Sequence, residues 1–172
     1  MKIPDGGFRP AYNIQLATVG SELGGPRTIV GLLVTNTGSD MGSITPMLAD
    51  IKARTGQLPR QLLADAGHAK HSCVDAATLA NVEVIMAIPK REQGAMTPVS
   101  PAVAAWRERR TTDEAKRAYR ARAGLCELSN AHLKCHHGTA SVLVRGLAKV
   151  TCVALLGAIA ANVLAHASAW LA

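Results

Sequence analysis

The sequence predicts an α/β domain, and three observations carry that prediction. Segments with the two-residue period of a strand alternate with segments of helical period, in the order strand, strand, helix, strand, helix, strand. The chain has 172 residues, enough for one full domain with a sizeable core, and a second independent core is not expected at this length. Hydrophobic residues make up 48% and charged residues 18%, which is globular rather than disordered. Aromatics are only 3%, so the core must be aliphatic and alanine-rich.

Residues 1–10 are turn-rich, with Pro4, Asp5-Gly6-Gly7 and Pro10, and read as a connection. Residues 11–19 set Tyr12, Ile14 and Leu16 against Asn13, Gln15 and Ala17, the pattern of a half-buried strand. Gly20 to Arg27 makes a loop, and Thr28 to Thr35 (TIVGLLVT) is a more deeply buried strand, so the two are expected to form an antiparallel hairpin. Ile44, Met47, Leu48 and Ile51 fall at i, i+3, i+4, i+7, which makes 43–55 an amphipathic helix capped by Asp40 or Ser43 and stopped at Gly56. The next strand, 61–65, ends on Asp65. Ser72 is placed to cap a short helix through Ala80, and Val82 to Ile88 is another strand. Residues 89–100 are a polar, proline-containing loop. Ser100-Pro101 opens a helix with proline in its permitted first position, and Thr111 with Glu114 makes a capping box for a second helix that runs to about Lys134. Ser141 to Val144 is a candidate short strand, and an apolar terminal helix follows from about Ala148.

The formal charge is +7, and segment 101–134 alone contributes +4, with eight bases (Arg107, Arg109, Arg110, Lys116, Arg117, Arg120, Arg122, Lys134) against four acids (Glu108, Asp113, Glu114, Glu127). Such a balance favours a polyanionic partner, because each base set against a phosphate releases condensed counterions. Cys73, Cys126, Cys135 and Cys152 are unevenly spaced with no secretory signal before them, so reduced thiols in the cytoplasm are expected. Cys126, Cys135, His136 and His137 lack paired zinc-ligand spacing and read as small buried thiols with exposed imidazoles. From Val150 to Ala172 there is no Lys, Arg, Asp or Glu. That length spans a bilayer, but the alanine-rich run is weakly hydrophobic and interrupted by Thr, Asn, Ser and His. A buried core helix is the expectation, with a membrane anchor as its rival.

Ligands of α/β sheets bind outside the carboxyl ends of strands, where Asp65 sits in LLADAGH (62–68). The same position suits an Asp that turns the chain or caps the next segment. In the helix expected over 112–134, Ala123, Glu127, Asn130 and Lys134 follow i, i+4, i+7, i+11 and share a face that is either solvated or partnered.

The spacing Tyr119-x2-Arg122-x4-Glu127-x6-Lys134 resembles the signature around the catalytic glutamate of DDE transposases of bacterial insertion sequences. GGFRPAYNIQLAT (6–18), IVGLLVTNTGSD (29–40), LLADAGH (62–68), SPAVAAWRER (100–109) and VRGLAKV (144–150) are similar to that family in order and spacing, so that the likeness spans roughly residues 1–165. The resemblance implies an RNase H-like mixed sheet flanked by helices, with a helical C-terminal part. It implies a site in which three carboxylates hold two divalent ions, Mg2+ or Mn2+, for in-line phosphoryl displacement on DNA. On this resemblance Asp65 is the second Asp and Glu127 the Glu, both metal ligands, while Tyr119, Arg122 and Lys134 contact transposon-end DNA. A homodimer is a further expectation; a membrane partner is not.

In relatives the first Asp lies on a strand that precedes the hairpin, and this chain opens at Met1 within the connection that follows it. Asp5 and Asp40 are the acids that nominally replace it, Asp5 in a turn and Asp40 at a helix cap. His68 stands where similar proteins usually carry an aromatic. The expectation is therefore the carboxy-terminal part of a transposase catalytic domain, one domain over 1–172 without the first strand, and not active alone. The rival from another class is a non-catalytic, basic DNA-binding remnant.

Overall fold

Strand-period sequence makes a hairpin at the start of the described chain. The computed structural model describes residues 11–20, 25–89 and 98–171. Packing divides the chain into two compact units, one made of Met1–Gly38 with Ala123–Ala172 and the other of Ser39–Arg122. The expected turns at 1–10 lie outside the described residues, as do 21–24 of the first loop and 90–97 of the later one.

In the first unit, β1 (Asn13–Val19) and β2 (Thr28–Thr35) pair antiparallel, with Asn13 opposite Thr35, Leu16 opposite Leu32 and Val19 opposite Thr28. The register steps from Ala17–Gly31 to Thr18–Ile29, so Val30 is an extra residue, a bulge that tightens the local twist. One face of the hairpin is covered by α6 (Leu147–Leu171). Leu32, Ala154 and Ala158 are buried there, with Ile14, Leu16, Ile29, Val34 and Leu155 packed around them. Alanines on the inner face let the helix backbone approach the strands, which is how a core with so few aromatics fills its space.

Two polar residues of α6 also face the hairpin. Asn162 Oδ1 accepts from Ile29 N at 2.8 Å while its Nδ2 donates to Ile29 O at 2.9 Å, and His166 Nε2 meets Thr28 Oγ1 at 2.8 Å. Tyr12 Oη accepts from Gly146 N, 2.9 Å away, just before the helix. The terminal helix is thus one-sided: its inner face fits a core helix, while Leu156 (67% exposed), Ile159 (59%) and Leu164 (64%) point outward. By length and composition Leu147–Ala167, with a mean hydropathy of 2.0, is apolar enough to cross a membrane. The strand expected at Ser141 to Val144 does not form; Leu143 is fully exposed, and a short apolar run without a ladder partner gains nothing from extended pairing.

In the second unit, α1 (Ile44–Thr55) buries Ile44, Met47, Leu48 and Ile51 as the spacing requires. It ends on Gly56, whose φ of 78° suits a residue without a Cβ and lets its N–H return to Lys52 O. Its start differs from expectation. Ser43 has helical angles and caps nothing; its hydroxyl donates to Asp40 O at 2.8 Å and lies 2.6 Å from His68 Nδ1. Strands β3 (Gln61–Ala64) and β4 (Glu83–Met86) pair parallel, Gln61 opposite Glu83 and Ala64 opposite Met86, and β4 is shorter than its apolar run. Helix α2 (His71–Leu79) connects them, buries Cys73, Val74 and Ala77, and starts before Ser72, so Lys70 holds the N-cap position and the expected Ser72 cap is not made.

Ser100 caps α3 (Pro101–Arg109) by accepting from Val103 N at 3.2 Å, and its hydroxyl also donates to Asp75 on α2. Val103 and Trp106 are buried beneath it. The next cap is shifted by one residue. Thr112 Oγ1 accepts from Ala115 N at 3.2 Å to start α4 (Asp113–Arg122), while Thr111 Oγ1 donates back to Glu108 O. The described residues form a mixed α/β fold whose four short strands make two separate two-stranded sheets.

Candidate active site and nucleic-acid interface

Asp65 follows the last residue of β3 and takes the capping role its position allowed. It occupies the N-cap of a single 3-10 turn, Ala66–His68, its Oδ1 accepting from Gly67 N, while the residue as a whole stays exposed. The turn is tight because Gly67 has no side chain. An added Cβ would lie 3.1 Å from Asp65 Oδ1 and 3.8 Å from Asp40 Oδ2, so the carboxylates of Asp65 and Asp40 border the same glycine. Sequence spacing gave no sign of this approach; Asp40 is brought in by the loop before α1. Two carboxylates with oxygen donors fit a hard divalent cation in donor type. Among the described residues no group of three His, Cys, Asp or Glu side chains is placed to hold a metal ion as it stands. Asp5 lies outside the described residues.

The bases gather on α3 and α4. Arg110, Lys116, Arg117 and Arg120 are exposed; Lys116 reaches Asp113 at 3.3 Å, and Arg109 pairs with Glu83 at 2.9 Å. Exposed pairs of this kind hold a side chain in place only weakly, leaving these cations available to phosphates. One turn on, the Arg122 guanidinium lies 5.4 Å from the centre of the Tyr119 ring, a cation–π contact that orients the planar fork.

The regular helix expected over 112–134 is interrupted. Ala123–Glu127 form a π turn, and α5 (Leu128–His136) follows. In a π turn the backbone bonds run i to i+5, so Ala123 and Glu127 are not one α-helical turn apart and the expected face begins only at Glu127. The freed carbonyls are satisfied by side chains: Leu125 O accepts from Thr18 Oγ1 at 2.9 Å and Ser129 Oγ at 3.4 Å, and Cys126 O from Asn130 Nδ2 at 3.2 Å. Asn130 is therefore spent on the backbone. Glu127 ends the turn, exposed, and Lys134 is exposed in the last turn of α5. Asp65, Tyr119 and Arg122 belong to the second unit, Glu127 and Lys134 to the first.

The sequence reading weighed His136 and His137 with Cys126 and Cys135 but left out His132, which completes a histidine cluster at the end of α5. His132 and His136, four residues apart, have ring centres separated by 4.8 Å, and His137 lies 5.2 Å from His132. The i, i+4 spacing of His132 and His136 was the available signal. Partial burial lowers the proton affinity of His137, and the neighbouring His132 and His136 lower it further. Cys135 is exposed and Cys126 half-buried.

The family described as "Transposase DDE domain" matches residues 69–165, more than half of the chain, a span that includes Tyr119, Arg122, Glu127 and Lys134 and starts four residues after Asp65. No curated protein and no solved structure matches the chain.

Proposed function

The chain belongs to the transposase DDE domain family, and from that premise we propose that it is the carboxy-terminal catalytic part of a bacterial insertion-sequence transposase with an RNase H-like arrangement, acting on DNA in the cytoplasm. The family implies DNA binding and generally uses a divalent metal. One observation carries the catalytic reading: the exposed carboxylate of Asp65 stands at the carboxyl end of the parallel pair β3–β4, where α/β sheets bind their ligands.

In this reading Asp65 and Glu127 would each serve as a ligand of Mg2+ or Mn2+, as the family resemblance implies, and Asp40 borders the same glycine as Asp65. The ion supplies Lewis acidity and charge neutralisation at the attacked phosphate. The rest falls to the chain's own groups. The Gly67 N–H fixes one oxygen of Asp65 and so aims the other outward. Arg110, Lys116, Arg117 and Arg120 bind the DNA backbone without reading sequence. Arg122, stacked on Tyr119, offers a fork for bidentate phosphate binding, and Lys134 a point charge.

A plasmid-nicking assay with Mg2+ or Mn2+ tests the site by comparing the chain with Asp65→Ala. Strong cutting that survives the substitution overturns the assignment. The exposed bases of α4 favour one second reading, a non-catalytic DNA-binding protein in which Asp65 and Glu127 are incidental. It requires DNA affinity that weakens steeply with salt and divalent-ion effects that are indifferent to Glu127→Ala.

A further inference from the structure

His68 ends the 3-10 turn that Asp65 begins, and its ring leaves that turn to reach a distant part of the chain. Nδ1 lies 2.6 Å from Ser43 Oγ, 25 residues earlier in sequence. Ser43 in turn holds Asp40. Its hydroxyl donates to Asp40 O at 2.8 Å, and its N–H donates to the same oxygen at 3.2 Å. Gly42, at a φ of 90°, turns the chain between them. Ser43 makes no side-chain cap to α1, which leaves its hydroxyl for these two partners.

A hydroxyl has one proton to give. Spent on Asp40 O, it leaves Ser43 Oγ only lone pairs to offer His68. The hydrogen between the two side chains therefore belongs to Nδ1, and the neutral ring keeps its lone pair on Nε2.

Asp65 is tied to the same turn through the backbone. His68 N donates to Asp65 O at 3.2 Å and Gly67 N to Asp65 Oδ1. One face of the turn thus holds Asp65, and its last side chain holds the loop that carries Asp40. The outcome is read at Gly67, where a Cβ would lie 3.1 Å from Asp65 Oδ1, 3.8 Å from Asp40 Oδ2 and 4.0 Å from Asp40 Cβ. Two carboxylates that border one glycine repel each other. A contact between the loop and the turn opposes that repulsion, and the Ser43–His68 hydrogen bond is such a contact.

We propose that His68, acting through Ser43, is a positioning residue of the Asp65 site, and that its Nδ1–H holds the Asp40 carboxylate beside the Asp65 turn. A second carboxylate there deepens the negative potential around Asp65 and favours a cation. That consequence rests on the reading of Asp65 as a metal ligand; the positioning itself does not.

Nuclear magnetic resonance on the isotope-labelled full chain tests both. At a pH where the ring is neutral, His68 should show a protonated Nδ1 and an unprotonated Nε2, with His68→Asn assigning its signals among the six histidines. A nuclear Overhauser contact should join Gly67 Hα to Asp40 Hβ. Ser43→Ala removes no helix cap, so α1 is retained, and it should abolish the contact. His68→Gln should do the same, because its nitrogen reaches the place of Nε2. His68→Asn puts a nitrogen donor where Nδ1 stands and should preserve it. A proton on Nε2 in the parent chain would overturn the proposal, and so would a Gly67–Asp40 contact that survives both Ser43→Ala and His68→Gln. Mn2+ then reads the consequence. It should broaden the Gly67 amide in the parent chain, and Ser43→Ala should raise the concentration required about tenfold, as loss of an outer partner does. Broadening that is absent from the parent counts against Asp65 as a ligand, while the Gly67–Asp40 contact decides the positioning by itself.

Discussion

Asp65 Oδ1 accepts the backbone N–H of Gly67 at 2.5 Å, so the residue proposed as a metal ligand also builds the turn that presents it. Structure and chemistry can be separated by substitution. Asp65→Asn keeps an oxygen to cap the turn and loses the charge, whereas Asp65→Ala loses both. The alanine variant should unfold about 1 kcal/mol more easily, as lost caps do, and the asparagine variant should stay near the parent. Urea denaturation followed by circular dichroism measures this. Both variants should abolish any divalent-ion dependence of DNA binding or nicking.

The exposed bases of α4 predict a salt signature. Each phosphate contact contributes about 0.9 to the slope of log affinity against log salt on duplex DNA. Replacing Arg117 and Arg120 together by alanine should reduce that slope by roughly two, with little change between DNA sequences. Fluorescence anisotropy at several salt concentrations reads it directly, and an unchanged slope places the DNA elsewhere.

Asn162→Leu should be among the more damaging changes on α6. The leucine is apolar like its neighbours, yet it leaves the N–H and C=O of Ile29 without their present partners beside the β-bulge. Unsatisfied, partly buried backbone groups cost about 1–3 kcal/mol. A thermal or urea midpoint equal to the parent's would show that water replaces the side chain.

Among the described residues Trp106 is the largest fully buried side chain, 2% exposed, and its indole N–H has no hydrogen-bond partner there. Trp106→Ala should cost about 3–5 kcal/mol through the cavity it leaves. Trp106→Phe should cost clearly less, because it retains most of the ring while removing an unsatisfied donor. Equal losses in the two variants would assign a role to the indole nitrogen.

Where the determinants are local, they were legible. The alternation at Ile14 and Leu16, the i, i+3, i+4, i+7 set ending at Ile51, and the Ser100-Pro101 start each act through neighbours within a turn or across one hairpin, and each forms as read. Misread positions depend on distant partners. Ser43 fails to cap α1 because its hydroxyl meets His68, 25 residues away. Ser141 to Val144 has strand composition but no strand beside it. The π turn leaves no hydrophobic period to detect, since its extra residue is accommodated by Thr18, Ser129 and Asn130 acting on freed carbonyls. Of the candidate site, Asp65, Glu127, Tyr119, Arg122 and Lys134 are named by resemblance to the family's order and spacing. The approach of Asp40 to Gly67 could not, because a loop brings it there.

An apolar helix resting on an apolar hairpin is a cylinder on a smooth track, free in principle to roll about its own axis, since one aliphatic face is nearly as good as the next. Asn162 and His166 act as teeth that engage Ile29 and Thr28 and stop the roll. The helix is thereby indexed to a single rotational setting by two side chains, and which of its aliphatic residues face outward is decided by hydrogen bonds rather than by hydrophobicity.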